Sequence, residues 1–318
     1  MTLPLTDHFN GKTFFLPSGA ADRGLRDLLR WRFTSRLARW PRDVPLAPQP
    51  PPPVPRGEDV VVTWIGHATF LLRTANSSLL IDPVFSDRAS PVAWAGPRRA
   101  QPPGLALESL PPIDAVLLSH DHYDHCDAAS LRRLAAVHDP VFIAPLRHRD
   151  LLGATGTRKI VELDWWQAHA VAANLTVTLT PSKHWSNRFG TPRNHRLWGG
   201  FFLHFGPKRV WFAGDSGYDR ELFRSVRERS GAPDLALIPI GAYEPRWFMA
   251  PMHMNPAEAV QAHLDAGARR SVAMHWGTFQ LTDEARDEPP RALAAARAAA
   301  GLPAEAFAVP VPGESFVA

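Results

Sequence analysis

The chain has 318 residues, of which 45% are hydrophobic and 21% charged, a composition typical of a globular protein with a large core. The formal net charge is +4, and the single cysteine, Cys126, excludes an intrachain disulfide and a thiolate zinc cluster. No apolar run is long enough for a membrane span, and residues 1–8 lack the basic and apolar segments of a signal peptide. We therefore expect a cytoplasmic protein, with peripheral membrane contact left open by the N-terminal segment.

Residues 1–57 are predicted to form an N-terminal arm with a Pro-rich linker, and residues 58–318 the folded body. Apolar side chains recur at helical spacing within residues 23–42 and are interleaved with arginines, a pattern typical of a basic amphipathic helix. Such a helix can dock on an anionic lipid surface, or pack its apolar face on the body while its arginines are solvated. A homodimer contact through the same arm is equally compatible with the pattern. The prolines from Pro41 to Pro55 predict a stiff, extended linker.

The body reads as alternating strands and helices. Residues 69–73 and 78–81 predict one hairpin, and residues 197–205 and 209–212 predict a second. The Pro- and Arg-rich segment 83–110 predicts a long loop that contributes to a pocket wall. Further strands are predicted at 60–65, 115–118, 140–144, 175–179, 197–205, 209–212, 235–240 and 271–274, and helices at 127–136, 149–152, 221–228, 255–266 and 291–300.

A dense polar motif follows the predicted buried strand 115–118. It contains His120, His122, Asp124 and His125 within six positions. In an extended chain, residues two apart project to the same side, so His120 and His122 are expected to face together. Burying four such groups without compensation is costly, and a divalent cation removes that cost. The motif therefore predicts two neighbouring metal ions.

Three distant residues share this placement. His184, Asp215 and His275 each lie just past the end of a predicted strand, as His120 does. Loops at strand ends can converge on one edge of a sheet, where functional residues are concentrated. We therefore expect these three side chains to join the histidine motif at one site.

These residues resemble the motif of the metallo-β-lactamase superfamily of binuclear metal hydrolases, over residues 60–318. A narrower set of segments is similar to the N-acyl-phosphatidylethanolamine-hydrolysing phospholipase D family. They are Pro181-Ser182-x-His184-Trp185, Leu197-Trp198-Gly199, Phe212-Ala213-Gly214-Asp215-x-Gly217-Tyr218, His275-Trp276-Gly277-Thr278-Phe279 and the twelve residues 238–249. The twelve-residue run is the most specific of them. Residues 1–57 match less well.

The resemblance implies an α/β fold, the αββα sandwich, with the helical arm at its N-terminus and two zinc ions at one edge. One ion would be held by His120, His122 and His184, and the second by Asp124, His125 and His275, while Asp215 would bridge them. Iron or manganese suits the same ligands. Asp82, Ser119 and His67 are expected behind the ligands, where they would orient imidazole N–H groups.

The resemblance also implies the reaction. Two adjacent ions can lower the pKa of a shared water toward about 7, and the hydroxide is expected to attack the phosphodiester of an N-acylated phospholipid, giving phosphatidic acid and N-acylethanolamine. Asp124, Asp215 and His253 are the expected catalytic residues. His253 also matches a family histidine near the substrate phosphate. Tyr243, Arg246 and Trp247 are predicted to line the pocket, with Arg246 paired to Glu244, and the basic segment 188–196 is expected to shape its entrance.

Other functions fit the same sequence less well. A lactonase or small phosphodiesterase acting on a soluble substrate would share the metal site, and a fold does not separate the two. Nucleic acid is not an expected partner, because the arginines are concentrated in the arm and no RNA-binding module is recognisable. A docking protein that binds metal but has no activity would have to keep the complete set of ligands without using it for catalysis.

Overall fold

The computed structural model describes residues 3–19, 23–47 and 49–318. Its strands are β1 (Val61–Gly66), β2 (Thr69–Arg73), β3 (Ser78–Ile81), β4 (Ala115–Leu117), β5 (Val141–Pro145), β6 (Ile160–Leu163), β7 (Ala168–Ala172), β8 (Leu175–Thr180), β9 (Gly200–Phe205), β10 (Lys208–Phe212), β11 (Leu235–Pro239), β12 (Arg270–Met274), β13 (Phe307–Ala308) and β14 (Ser315–Val317). They form two seven-stranded sheets, ordered β14-β1-β2-β3-β4-β5-β6 and β13-β12-β11-β10-β9-β8-β7. Both sheets are mixed, and the predicted hairpins β2–β3 and β9–β10 are confirmed as antiparallel pairs.

The helices are α1 (Leu25–Thr34), α2 (Ala128–His138), α3 (Arg149–Gly153), α4 (Arg220–Ser230), α5 (Arg246–Met249), α6 (Pro256–Ala266) and α7 (Glu288–Ala299), with 3₁₀ turns at Leu107–Ser109 and Ala304–Ala306. Two predicted helix starts are confirmed. The Asp127 side chain accepts a hydrogen bond from the amide of Ala129. At α6, Asn255 and Glu258 form a capping box in front of Pro256.

The core has three apolar layers, because alternate residues along a strand face opposite sides of the sheet. In β2, Phe70 and Leu72 pack between the two sheets, whereas Leu71 packs beneath α2 and α3. On the second sheet, the outer faces of β10 and β11 pack against α4, α6 and α7. Helices therefore cover both outer faces, and the predicted αββα sandwich is confirmed.

Several boundaries differ from the prediction. Helix α1 ends at Thr34 instead of continuing to Trp40, because the following residues bind a distant loop: Ser35 donates to the Asp283 carboxylate and the amide of Ala38 donates to the Asp283 carbonyl. Four strands were not predicted, namely β6, β7, β13 and β14. In β7, every residue is exposed or half-buried, so it lacks the apolar signal from which strands are recognised.

Part of the N-terminal segment belongs to the body's core. Phe9 and Phe14 are 2% and 1% exposed and pack with Leu16 into the cluster between the sheets. The His8 ring lies between two carboxylates, with Nδ1 2.6 Å from Asp7 Oδ1 and Nε2 2.7 Å from Asp164 Oδ1. The domain boundary at residue 57 stays a prediction, although residues before it are built into the core.

Cys126 is fully buried among the apolar residues beneath α2, and burial raises the pKa of its thiol to about 11. It packs there as a small apolar side chain. Within the described residues, none of the helices has the length and apolar composition needed to cross a bilayer.

Candidate metal centre

The predicted site residues lie on loops at one edge of the sandwich. His120 and His122 follow β4, His184 follows β8, Asp215 follows β10 and His275 follows β12. The structure brings all seven predicted ligands together. Gly214, before Asp215, has a φ of +65°, and a Cβ there would lie 2.5 Å from the Gly199 carbonyl oxygen. Only glycine therefore lets the two loops approach this closely.

Three imidazoles form the first cluster. His122 Nδ1 lies 2.9 Å from His120 Nε2 and 3.2 Å from His184 Nε2. All three rings are buried or nearly so, and their ligand atoms lie within 4.8 Å of one another. Three convergent imidazole nitrogens are the usual ligands of a catalytic zinc, which keeps a further position open.

The second cluster combines a carboxylate with two imidazoles. Asp124 Oδ2 lies 3.3 Å from His275 Nε2 and 3.5 Å from His125 Nε2. Asp215 Oδ2 lies between the two clusters, at 3.1 Å from His275 Nε2, 3.2 Å from His125 Nε2 and 3.8 Å from His184 Nε2. This carboxylate is therefore placed to touch both groups of ligands.

Hydrogen bonds behind the clusters orient the rings. Asp82 Oδ2 lies 2.7 Å from His125 Nδ1 and accepts the Ser119 hydroxyl at 2.5 Å. Ser119 Oγ in turn lies 2.8 Å from His120 Nδ1. When these Nδ1 atoms donate, each Nε2 presents its lone pair to the centre.

Two details behind the ligands differ from the sequence interpretation. His184 Nδ1 lies 3.0 Å from the Met252 carbonyl, a backbone partner that carries no signal in the sequence. His67 Nε2 forms its hydrogen bond with the Asp124 carboxylate, at 2.9 Å, while the His67 ring packs 4.1 Å from that of His275. His67 could therefore orient this carboxylate.

The electrostatics of the site favour cations. Burial lowers the pKa of His120 and His184 well below that of a free imidazole, so both rings are neutral and able to ligate. Burial also lowers the pKa of His275, but the Asp215 and Asp124 carboxylates outweigh it and raise this pKa to about 9. Asp215 Oδ1 is buried with no hydrogen-bond partner among the described residues. An unpaired buried carboxylate oxygen is costly, and a bound metal ion would remove that cost.

The backbone around the site is unusual. His67, Asp82 and His275 have φ values of 54°, 42° and 60°, in the left-handed region that side chains other than glycine rarely adopt. Such conformations persist only where the surrounding structure holds them, and they are concentrated at functional sites. The donor set and its rigid support therefore fit a pair of divalent metal ions.

A cavity of about 580 Å³, here called the catalytic cavity, opens onto these ligands. Its floor contains His122, Asp124, Asp215 and His253, and Ala89 of the loop 83–110 contributes to the wall, as predicted. Apolar side chains from α1, from α5 and the turn after it, and from the loop after β12 form most of the remaining wall: Leu25, Leu28, Trp31, Phe248, Met249, Met252 and Leu281. The sequence analysis did not predict that α1 and Trp185 line the cavity. The tertiary fold determines which segments meet above the site, and no local pattern shows it.

His253 lines the catalytic cavity beside two of the predicted ligand histidines. Its ring centroid is 5.0 Å from that of His184 and 5.5 Å from that of His275. Burial lowers its pKa to about 4, so the ring is neutral at physiological pH. Its Nδ1 is buried without a hydrogen-bond partner in the described residues, which leaves this atom available to a ligand.

Three predicted pocket residues are placed elsewhere. Tyr243, Arg246 and Trp247 do not line the catalytic cavity as the structure describes it. The Tyr243 hydroxyl donates to Glu288, and Trp247 lies beneath the Arg30 guanidinium.

The predicted pair of Arg246 with Glu244 is also wrong. Arg246 Nη2 donates to Glu258 Oε2 at 2.7 Å, while Glu244 accepts from the Arg246 backbone amide. Pro245 separates the two residues and Arg246 begins α5, so their side chains need not meet although they are close in sequence. Arg246 Nη1 donates to the His253 carbonyl at 2.8 Å and so supports the loop that carries His253.

The fold and site place the chain in a known class. A family profile described as the beta-lactamase superfamily domain matches residues 77–276. The chain belongs to the metallo-β-lactamase superfamily, as its histidine motif indicated. It is 40% identical over 228 residues to N-acyl-phosphatidylethanolamine-hydrolyzing phospholipase D 1 of Caenorhabditis elegans, a match that covers 69% of this chain. That match covers 64% of the relative, slightly less than two thirds of its length.

Two further comparisons agree with this class. A protein of Thermoplasma acidophilum named as a metal-dependent hydrolase is 31% identical over 236 residues, covering 70% of this chain and 86% of the relative. Among solved structures, the metallo hydrolase Igni18 of Ignicoccus hospitalis shares the fold, with a TM-score of 0.60, 24% identity and coverage of 81% of this chain and 98% of that one. The chain has the metallo-β-lactamase fold and is similar to proteins named as metal-dependent hydrolases and to phospholipases D that hydrolyse N-acyl-phosphatidylethanolamine.

Proposed function

We propose that this protein is a binuclear zinc phosphodiesterase that hydrolyses N-acyl-phosphatidylethanolamine to phosphatidic acid and N-acylethanolamine. The observation that carries the proposal is the position of the ligand clusters at the floor of a largely apolar cavity. Ligand sites with apolar walls and few polar groups suit substrates that are mostly hydrocarbon. The similarity to phospholipases D supports a phosphodiester as the reacting group.

The ligand assignment follows the two clusters. His120, His122 and His184 would hold one zinc, and Asp124, His125 and His275 the other, with the Asp215 carboxylate lying between the two clusters. Imidazole and carboxylate donors suit zinc, and iron or manganese uses similar ligands. When bound, such a metal pair supplies an activated water and stabilises the negative charge that develops on the phosphodiester.

The residues of the chain position the substrate. His253, neutral and with Nδ1 unpartnered, donates a hydrogen bond to a phosphate oxygen from the cavity floor. The apolar wall made by Trp31, Phe248 and Met249 buries the lipid chains and excludes water from the phosphodiester. Asp82 and Ser119 keep the ligand rings in place during turnover.

The arm brings the site to the lipid. Helix α1 lines the catalytic cavity with Leu25 and Leu28, while Phe33 on the same helix is 84% exposed. The arginines of residues 23–42 add positive charge around these apolar side chains. We therefore assign residues 23–42 to contact with an anionic membrane surface at the cavity mouth.

The first experiment incubates zinc-loaded protein with vesicles containing N-acyl-phosphatidylethanolamine and detects products by mass spectrometry. We expect phosphatidic acid and N-acylethanolamine in equal amounts, and loss of both with a chelator. Addition of zinc should restore them. If the protein cleaved only a lactone or a soluble phosphodiester, the proposed metal centre would stand but the proposed lipid substrate would be wrong.

A further inference from the structure

A second cavity of about 300 Å³, here called the side cavity, lies beside the metal centre. It touches the ligand histidine His184 and is walled by Phe15, Leu16, Trp198 and Pro251. The N-terminal segment therefore builds part of a pocket that reaches the metal centre. Asn194 and Arg193 also line the space, but most of its wall residues are apolar and can contact a hydrocarbon chain.

Three side chains separate the side cavity from the catalytic cavity. Trp185, Arg193 and Met252 line both spaces. The Arg193 guanidinium stacks 4.0 Å from the centre of the Trp185 ring, which in turn lies 4.4 Å from the His122 ring. These three side chains, here called the partition, therefore lie directly beside the ligands.

The partition can open without a backbone shift. Methionine is unbranched and changes rotamer readily, so movement of the Met252 side chain would connect the two cavities. The Met252 carbonyl remains bound to His184 Nδ1, which keeps the ligand in place while the side chain moves. A flexible hydrocarbon chain that starts at the metal centre can then enter the side cavity.

We propose that the side cavity binds the N-acyl chain of the substrate, an inference that rests on the proposed function. The two organic groups of a phosphodiester leave the phosphorus atom in different directions, and the metal centre adjoins two cavities. The larger one suits the branched diacylglyceryl group and opens beneath α1. The smaller one, which is lined on part of its surface by Phe15, Leu16, Trp198 and Pro251, suits a single acyl chain.

The first test narrows the side cavity with Leu16→Phe. We compare kcat/KM for N-palmitoyl- and N-butanoyl-phosphatidylethanolamine with the same diacylglyceryl group. The palmitoyl-to-butanoyl ratio should fall roughly tenfold, since excluding about two methylene groups from an apolar site costs this much. Leu28→Phe adds the same side-chain volume to the catalytic cavity and should keep the wild-type ratio. An unchanged ratio in Leu16→Phe would overturn the proposal.

A second test needs no variant. The wild-type, metal-loaded protein is irradiated with an N-acylethanolamine that carries a diazirine at its chain end, and labelled peptides are identified by mass spectrometry. We expect labels on Phe15, Leu16 or Pro251. Labels confined to α1 and Leu281 would reject the chain site whatever the turnover. Labels in the side cavity, combined with no release of N-acylethanolamine from vesicles, would retain the chain site and reject only the phospholipase assignment.

Discussion

At the scale of single residues, Asp82 connects the two ligand clusters. Its Oδ2 lies beside His125 Nδ1 and accepts the Ser119 hydroxyl, which supports His120, and its Oδ1 accepts the Ser119 amide. Burial raises the pKa of Asp82, and these hydrogen bonds oppose that rise. The sequence analysis expected Asp82 behind the ligands, and the folded chain shows which groups it supports there.

Asp82→Asn tests this support. The amide keeps the size of the side chain but removes the charge that holds His125 Nδ1–H, so we expect metal affinity or turnover to fall about 10–100-fold. Zinc affinity is measured by competition with a chromophoric chelator, and turnover on vesicles. If Asp82→Asn kept the wild-type zinc affinity and turnover rate, the Asp82 side chain would stabilise only the conformation of its loop and not the ligand rings.

His122→Ala tests the ligand set itself. Loss of one of three nitrogens from the first cluster should abolish turnover while leaving the circular dichroism spectrum unchanged. His138→Ala, at the end of α2 and outside every ligand cluster described, serves as the matched control and should retain activity. Phosphodiester cleavage by His122→Ala at the wild-type rate would refute the proposed centre.

At the scale of elements, the two sides of α1 have different surroundings. One side packs: the Trp31 ring lies 4.9 Å from the Phe248 ring, and its Nε1 donates to Asp283. The other side remains exposed, with Leu29 47% and Phe33 84% accessible. Packing on the body and contact with a lipid surface are therefore compatible, because they use different residues of the same helix.

The exposed side of α1 predicts vesicle binding. The double variant Leu29→Ser/Phe33→Ser should bind anionic vesicles roughly tenfold more weakly, since both side chains would lose apolar burial in the interface. Sedimentation with phosphatidylglycerol vesicles measures this. Val137→Ser, at a 70% exposed position on α2, is the control and should bind as the wild type does. Equal binding by all three proteins would place the lipid contact elsewhere.

At the scale of the whole molecule, the metal centre joins the two sheets. Its ligands come from loops after β4 in the first sheet and after β8, β10 and β12 in the second. A metal bound at this edge therefore links both layers, and its binding energy adds to the stability of the folded chain.

Metal removal should lower the melting temperature. At a free zinc concentration of 100 times Kd, binding to the folded state alone contributes about 2.7 kcal/mol. Dialysis against a chelator should therefore lower Tm by a few degrees, and zinc should restore it. Calorimetry measures the shift. In His122→Ala the shift should be much smaller, and an equal shift in this variant would indicate that the stabilising metal is bound at another site.

The sandwich class was predicted from the family resemblance. The two hairpins, the starts of α2 and α6 and the set of candidate ligand residues were predicted from the sequence itself. These features depend on local patterns: strand periodicity, turn residues and polar groups immediately past a strand end. The tertiary structure alone decided that Met252 supports His184, that Arg246 pairs with Glu258, that residues near Phe14 enter the core and that α1 lies over the catalytic cavity. Each of these joins segments whose proximity is set by the packing of whole elements, so no local pattern encodes it.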